Sequence, residues 1–202
     1  MTGVFLCRHA PTEWNRQGRF QGRADSPLVA DADQRLMRLD EVLIEHTFDR
    51  VFCSPQKRAR QSLAALQCSA GVPVEYPEAL REIDFGDWTG ITPGEIPASA
   101  QGERERNHWH YRWPGGESNA DVFVRTKDLL PSIRSAEGNV LIMAHETVNR
   151  TLIAHLLGLA PEKAGNIKQP NQVIYRVREG QLSWFDCHPQ WHQKTFIGRA
   201  HD

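Results

Sequence analysis

Val4-Phe5-Leu6-Cys7-Arg8-His9-Ala10-Pro11 decides how the rest of the chain is read. Val4 to Cys7 is an apolar run of strand length, Arg8-His9 ends it abruptly, and Pro11 breaks the chain two residues later. Open α/β sheets place their chemistry just beyond the carboxyl ends of strands. A cation beside a histidine at such a point makes an anion site. Guanidinium offers a fixed fork of donors to phosphate, and imidazole is a nucleophile near neutral pH.

Moving outward, Arg16 to Arg23 is Gly-rich, basic and polar, which predicts a loop whose arginines suit an anion-facing surface. Asp31 to His46 carries Leu36, Leu39, Val42, Leu43 and His46 at helical spacing, which predicts an amphipathic helix with its apolar stripe in the core. Arg50-Val51-Phe52-Cys53 reads as a second short strand. It runs into Ser54-Pro55-Gln56-Lys57-Arg58, where Ser54 is the expected cap and Pro55 sits in the first helical turn. A helix N-terminus is itself an anion site, and Arg58 lies one turn inside it. Val72 to Tyr76 reads as a third strand.

The chain has 202 residues, a formal net charge of −1 and 40% apolar residues, which fits one domain spanning 1–202 with a sizeable core. The near-neutral balance argues against general nucleic-acid binding. No apolar span reaches membrane length, and Val4–Cys7 is too short for the core of a signal peptide. The four cysteines form no Cys-x-x-Cys pair. Cys7 and Cys53 lie in apolar runs and read as buried free thiols, so a cytoplasmic location is expected.

Five elements now stand in one order: Arg8-His9 with Asn15 and Gln21-Gly22; Ser54-Pro55-x-x-Arg58-Ala59; Leu80-Arg81-Glu82-x-x-Phe85-Gly86-x-Trp88-x-Gly90; Pro114-Gly115-Gly116-Glu117-Ser118; and Val140 to Ala144 ending in His145. Together they resemble the histidine phosphatase superfamily, the phosphoglycerate mutase-like family, from Val4 to about Leu159. The phosphatase branch is the closer match, because the chain is short where the mutases carry an extra insertion. The resemblance implies that His9 takes the phosphoryl group while Arg8, Arg58 and His145 cradle its oxygens. Glu82 would serve as general acid and then base, and Asn15, Gln21 and Gly22 would edge the pocket. It implies no cofactor and no metal, since guanidinium and imidazole groups supply the positive charge. A transferring phosphoryl group spreads its charge over three oxygens, so preorganised donors carry most of the catalysis.

Three departures from the family pattern are visible. Ala10 follows the first histidine where glycine is usual, a usual glycine is missing near Asp31-Ala32-Asp33, and Glu146-Thr147 follows the second histidine in place of glycine. Glu146 puts a carboxylate beside the expected phosphate pocket. Unpaired, it would repel a substrate dianion. Protonated, it would be a second candidate acid, as an acidic residue is in the acid phosphatase and phytase branch. As a first-turn helix residue it would complement the helix dipole. Glu82 is favoured as the acid because of its Phe85-Gly86-x-Trp88 surroundings, and Thr147 joins Glu146 as a binding residue.

Residues 92–117 form the expected specificity cap. Glu103 to Arg112 reads as a short helix bearing Arg104, Arg106 and His108 among the aromatics Trp109, Tyr111 and Trp113, a composition suited to a ring and a second anion. Ser118 with Asp121 reads as a helix cap, opening a helix through Val122, Leu129 and Ile133. His145 opens another that stops at Gly158. Val173–Val177 and Gln181–Phe185 flank Glu179-Gly180 as a β-hairpin. The tail with Trp191 and Phe196 is expected to be partly docked or mobile.

The fold expected is thus a three-layer α/β/α domain with a mostly parallel sheet and an antiparallel C-terminal hairpin. The function expected is hydrolysis of a small phosphorylated metabolite through a phosphohistidine. The rivals are a phosphoglycerate mutase-type phosphotransferase and a non-catalytic relative that binds a phosphorylated ligand. A homodimer is left open.

Overall fold

A computed structural model describes residues 3–187. The reading of the tail with Trp191 and Phe196 lies outside the described residues. In chain order the elements are β1 (Val4–Arg8), α1 (Glu13–Arg16), α2 (Ala32–Leu43), β2 (Phe48–Cys53), α3 (Lys57–Ala64) and β3 (Val74–Glu75). Then come α4 (Ala98–Arg106), α5 (Asn119–Thr126), α6 (Leu130–Arg134), β4 (Asn139–Ala144), α7 (Glu146–Leu157), β5 (Val173–Arg178) and β6 (Gln181–Asp186).

Six strands form one sheet in the order β3-β2-β4-β1-β5-β6. β1, β2, β3 and β4 run parallel, and β5 and β6 add the antiparallel edge. Alternation along the central strands splits the core into two layers. Leu6 with Val140, Ile142 and Ala144 face the side covered by Val122, Ile133, Val148 and Leu152. Phe5 and Cys7 with Leu141 and Met143 face Leu36, Leu39, Leu43, Ala59 and Leu63. Burial on both faces is why these strands read as continuous apolar runs. The expected α/β/α sandwich is what the chain forms.

The parallel strands share an edge for their carboxyl ends, and this places the site. His9 N–H bonds the Ala144 carbonyl at 3.0 Å, and Ser54 N–H bonds the Met143 carbonyl at 2.9 Å. The residues just past β1, β2 and β4 (His9, Ser54 and His145) are therefore neighbours although 45 and 91 positions apart in the chain.

Several local expectations need correction. Ser54 and Pro55 precede α3 and do not start it. The helix begins at Lys57 with Gln56 as its cap residue, and the Ser54 hydroxyl turns to His145 instead. The expected helix Glu103–Arg112 forms earlier, over Ala98–Arg106, and buries no residue; it has no apolar stripe for periodicity to detect. The helix expected through Ile133 breaks into α5, a 3-10 turn at Lys127–Leu129 and α6. Pro131 lacks an N–H and clashes with the preceding turn, which ends the longer helix. The third strand shrinks to Val74–Glu75. Ser118 and Asp121 do form a capping box, and Gly158 closes α7 in the left-handed region at φ 65°.

Candidate active site

The site is assembled from β1 outward. β1 ends in Arg8, His9 follows it, and the strand end is clamped from a segment far along the chain. Asn171 donates to the His9 carbonyl at 2.6 Å, Gln169 to the Leu6 carbonyl at 2.7 Å, and Asn149 to the Cys7 carbonyl at 2.9 Å. Gln169 is 1% exposed and also accepts from Asn149 at 2.7 Å, so these buried amides form a bonded set rather than isolated polar groups.

The imidazole of His9 is 3% exposed. Its Nδ1 lies 2.6 Å from the Ala10 carbonyl oxygen, and Arg58 Nε donates to its Nε2 at 3.2 Å. A carbonyl only accepts and a guanidinium only donates. The proton is therefore on Nδ1, and the Nε2 lone pair accepts from Arg58 at the cleft wall. Burial, then the charges of Arg58 and Arg8, hold the His9 pKa well below the ordinary histidine range, with the Ala10 carbonyl pulling the other way. The neutral ring is a ready nucleophile.

Arg58 is 1% exposed and fixed on three sides, donating to the carbonyls of Gly22 and Ala24 at 2.8 Å each as well as to His9. Burial pushes its pKa down to about 10, opposed by Glu82 and Asp25, so it stays charged at neutral pH. His145 lies behind His9 with ring centroids 5.1 Å apart, fully buried, its Nε2 2.8 Å from the Ser54 hydroxyl. Burial, then Arg58 and His9, lower its pKa as well.

Glu82 stands on the loop between β3 and α4. Its carboxylate accepts from Ile83 N–H at 2.9 Å and Thr147 N–H at 3.4 Å, the latter in the first turn of α7 where the helix dipole favours negative charge. Gln56 ties this loop to the first one, accepting from Glu82 N–H at 2.7 Å and donating to the Gly22 carbonyl at 3.0 Å. Glu117 holds the loop from the other side. Its carboxylate accepts from Asp84 N–H at 3.0 Å and from Arg125 Nε at 3.0 Å, and Arg125 in turn donates to the Arg81 carbonyl at 2.7 Å. Gly86, at φ 53°, packs so closely on this turn that a Cβ would collide with the Pro114 carbonyl.

Glu146 forms an ion pair with Arg8, Oε2 to Nη1 at 2.8 Å, and the same Nη1 donates to the Gln169 carbonyl at 3.0 Å. It is thus not an unpaired carboxylate, and it is also the acidic residue of α7's first turn. Thr147 lies beside it, its hydroxyl accepting from Arg150 at 3.3 Å.

A cleft of about 390 Å³ brings together Arg8, His9, Arg58 and Glu82 with the expected binding residues Asn15, Gln21, Gly22, Glu146 and Thr147. His145 does not line the open cleft; its ring lies 5.1 Å from that of His9. The Asn15 side chain caps α1 and accepts from Thr12 N–H at 3.1 Å, and Gln21 accepts from the Thr12 hydroxyl at 2.7 Å. Three buried polar atoms at this place have no hydrogen-bond partner among the described residues: Arg8 Nε, Gln21 Nε2 and His145 Nδ1. Gln56, Arg125, Asn149 and Gln169 are functional supports that sequence reading misses, since only long-range contacts reveal them. Arg150, also on the cleft wall, had a signal: it is one helical turn from Glu146, on the same face of α7.

Comparison with known proteins places this geometry. The model of the histidine phosphatase superfamily (branch 1) matches residues 4–185. The 6-phosphofructo-2-kinase/fructose-2,6-bisphosphatase 1 of Mus musculus is 32% identical over 179 residues, covering 86% of this chain and 36% of that protein. The chain thus spans about a third of the length of the curated relatives it matches. Among solved structures, YhfR of Bacillus stearothermophilus is 30% identical with a TM-score of 0.74, covering 90% of this chain and 94% of that one. A mycobacterial glucosyl-3-phosphoglycerate phosphatase is 26% identical with a TM-score of 0.77, covering 86% and 88%. The named activities among these relatives include phosphatases of small phosphorylated metabolites. With the family model spanning β1 to β6, the chain belongs to the histidine phosphatase superfamily.

Proposed function

We propose that the protein hydrolyses phosphomonoesters through a phosphoryl group carried on His9 Nε2. The observation that carries this reading is the orientation of His9, with Nδ1–H given to the Ala10 carbonyl and the Nε2 lone pair kept beside Arg58. In the first step the Nε2–P bond forms and the ester P–O bond breaks, with Glu82 giving its proton to the leaving oxygen. In the second, water attacks phosphorus, the Nε2–P bond breaks and Glu82 takes a proton from the water. Arg8, Arg58 and His145 stabilise the oxygens of the transferring group. The partnerless Arg8 Nε, Gln21 Nε2 and His145 Nδ1 support an oxyanion there, since unmatched buried polar atoms cost free energy that such a ligand recovers.

Glu146 is paired with Arg8 at 2.8 Å, which favours Glu82 for the acid role. The guanidinium charges of Arg8 and Arg58 supply the positive charge that a metal would otherwise provide. The names of the relatives support a small phosphorylated metabolite as substrate.

The test is phosphate release from a panel of phosphomonoesters with a chelator present, together with acid quenching to trap the phosphoenzyme. Turnover and an acid-labile adduct that both vanish in His9→Ala are expected. Substantial turnover in His9→Ala would overturn the nucleophile assignment. On a poor leaving group, Glu82→Gln should lose far more rate than Glu146→Gln, and the reverse ranking would move the acid role.

A further inference from the structure

His9 and His145 stand side by side, both buried, with opposite kinds of partner. His9 Nδ1 lies against the Ala10 carbonyl, which only accepts. His145 Nε2 lies 2.8 Å from the hydroxyl of Ser54, a group able to donate or accept. Which of the two it does follows from what else Ser54 touches.

Ser54 is 0% exposed, and its Oγ accepts from Gln56 N–H at 3.3 Å. Among the described residues its O–H has no acceptor other than His145 Nε2. The neutral ring has two arrangements. With the proton on Nε2, Ser54 Oγ accepts twice, its own O–H is stranded, and Nδ1 keeps a lone pair without a donor. With the proton on Nδ1, the Ser54 O–H goes to Nε2 and the Nδ1–H alone is unmatched. Each buried polar group left without a partner costs about 1–3 kcal/mol. One unmatched group therefore wins over two. A doubly protonated ring would again strand the Ser54 O–H, and burial, then Arg58, His9 and Arg8, oppose the second proton.

The group left over in the favoured arrangement is a donor. Arg8 Nε and Gln21 Nε2, from residues that line the cleft with His9, are also buried donors without acceptors among the described residues. Donors held ready without acceptors are what a bound oxyanion completes.

We propose that Ser54 is a positioning residue: its hydroxyl donates to His145 Nε2, keeps the His145 proton on Nδ1, and so makes a neutral imidazole the donor to an oxygen of the phosphoryl group at His9. This deepens the hydrolase reading and rests on it. Both histidines carry their proton on Nδ1, yet His9 offers a lone pair and His145 an N–H. His145 contributes a hydrogen bond and no charge, and no proton leaves it in either step.

The test is NMR of protein labelled with heavy nitrogen in its histidines, which separates protonated from bare ring nitrogens. His145→Gln assigns the signals. His145 should show a protonated Nδ1 and a bare Nε2, and the Nδ1–H signal should move when orthovanadate, an analogue of the transferring phosphoryl group, is added. A bare Nδ1, a doubly protonated ring, or an Nδ1–H signal that orthovanadate leaves in place would overturn the proposal. Ser54→Ala frees Nε2, so a mixture of tautomers is expected. On an aryl phosphate its kcat should fall about 10- to 100-fold with KM little changed, less than the roughly 10²–10³ for outright loss of an oxyanion donor, because part of the population keeps Nδ1–H. Ser54→Thr keeps the hydroxyl and should restore the tautomer and most of kcat. A Ser54→Ala protein with the parent's tautomer, whatever its melting temperature, would overturn the role given to Ser54. Should that variant fail to fold, Ser54→Cys, whose S–H is a weak donor, gives the same readouts. The two readings fail separately. Absence of turnover with the stated tautomer and orthovanadate response sinks hydrolysis and leaves Ser54 and His145 as an oxyanion-binding pair. Turnover through a phosphoenzyme with a bare Nδ1 sinks this inference alone.

Discussion

Replacing Glu117 tests whether the Glu82 loop is held where the structure puts it. The Glu117 side chain is 16% exposed and that of Arg125 20%. Its carboxylate accepts from Arg125 Nε at 3.0 Å and Nη2 at 3.2 Å, from Asp84 N–H at 3.0 Å and from Arg23 at 3.1 Å. Arg23 is 42% exposed, so that pair contributes little. The charged bonds to Arg125 are worth about 2 kcal/mol after allowing for partial exposure, and the Asp84 N–H bond about 1 kcal/mol. Glu117→Ala should therefore cost about 3 kcal/mol, a fall in Tm of about 6–12 °C for a chain of this size. Glu117→Gln keeps an acceptor for Asp84 and should lose about half as much. Urea denaturation measures the first quantity. Kinetics at a temperature where both variants are folded measure the second: kcat should fall more than KM rises, and more on an alkyl phosphate than on an aryl phosphate, because the displaced group is the proposed acid. An Ala variant that melts within 2 °C of the parent, or one with equal losses on both substrates, would refute the reasoning.

Further outcomes are expected. His9 and His145 are neutral in the fold, whereas the unfolded chain takes up protons there as pH falls through about 6.5, so stability is full above that value and is lost below it by up to about 1.4 kcal/mol per pH unit per histidine; urea midpoints between pH 7 and 5 measure this, and His145→Gln should flatten the profile. Gly86→Ala meets both a left-handed backbone and the Pro114 carbonyl and should cost about 2–4 kcal/mol, against about 1 kcal/mol for Gly18→Ala, where φ is 68° but the space is open; equal losses would show that the close approach is not what matters. Gln56→Ala leaves the half-buried N–H of Glu82 without its acceptor, while the Gly22 carbonyl keeps Arg58, so a loss of about 1–2 kcal/mol is expected in the same assay, with a lower kcat.

The sheet was legible because β1, β2 and β4 are buried on both faces, which makes Phe5–Cys7, Val51–Cys53 and Val140–Ala144 uninterrupted apolar runs. The histidines that follow two of those runs were legible for the same reason. Helix α4 was misplaced because it buries nothing, and α3 was started too early because Ser54, a common cap residue, is used as a partner for His145. Glu146 was visible as an anomaly, but its meaning depended on Arg8, which is 138 positions away. The same holds for Gln56, Asn149 and Gln169. A polar residue on a helix or loop looks solvated until the fold shows which distant carbonyl it serves.

The position of β1 in the sheet has a consequence for biosynthesis. Both of its neighbours, β4 and β5, come much later in the chain, so β1 has no local strand to pair with. At ribosomal rates of about 5–20 residues per second, the apolar run Val4–Cys7 waits roughly 7–27 s for β4, the first of its partners, to emerge. Throughout that interval an unpaired strand destined for the centre of the sheet is available to other chains. His9 acquires its bond to Ala144 when β4 docks, and its clamp from Asn171 only when the segment leading into β5 follows. Catalytic competence in a refolding or translation time course should therefore appear with the slowest phase, and holdase chaperones that shield the nascent chain should raise the yield of active protein more than its rate of appearance.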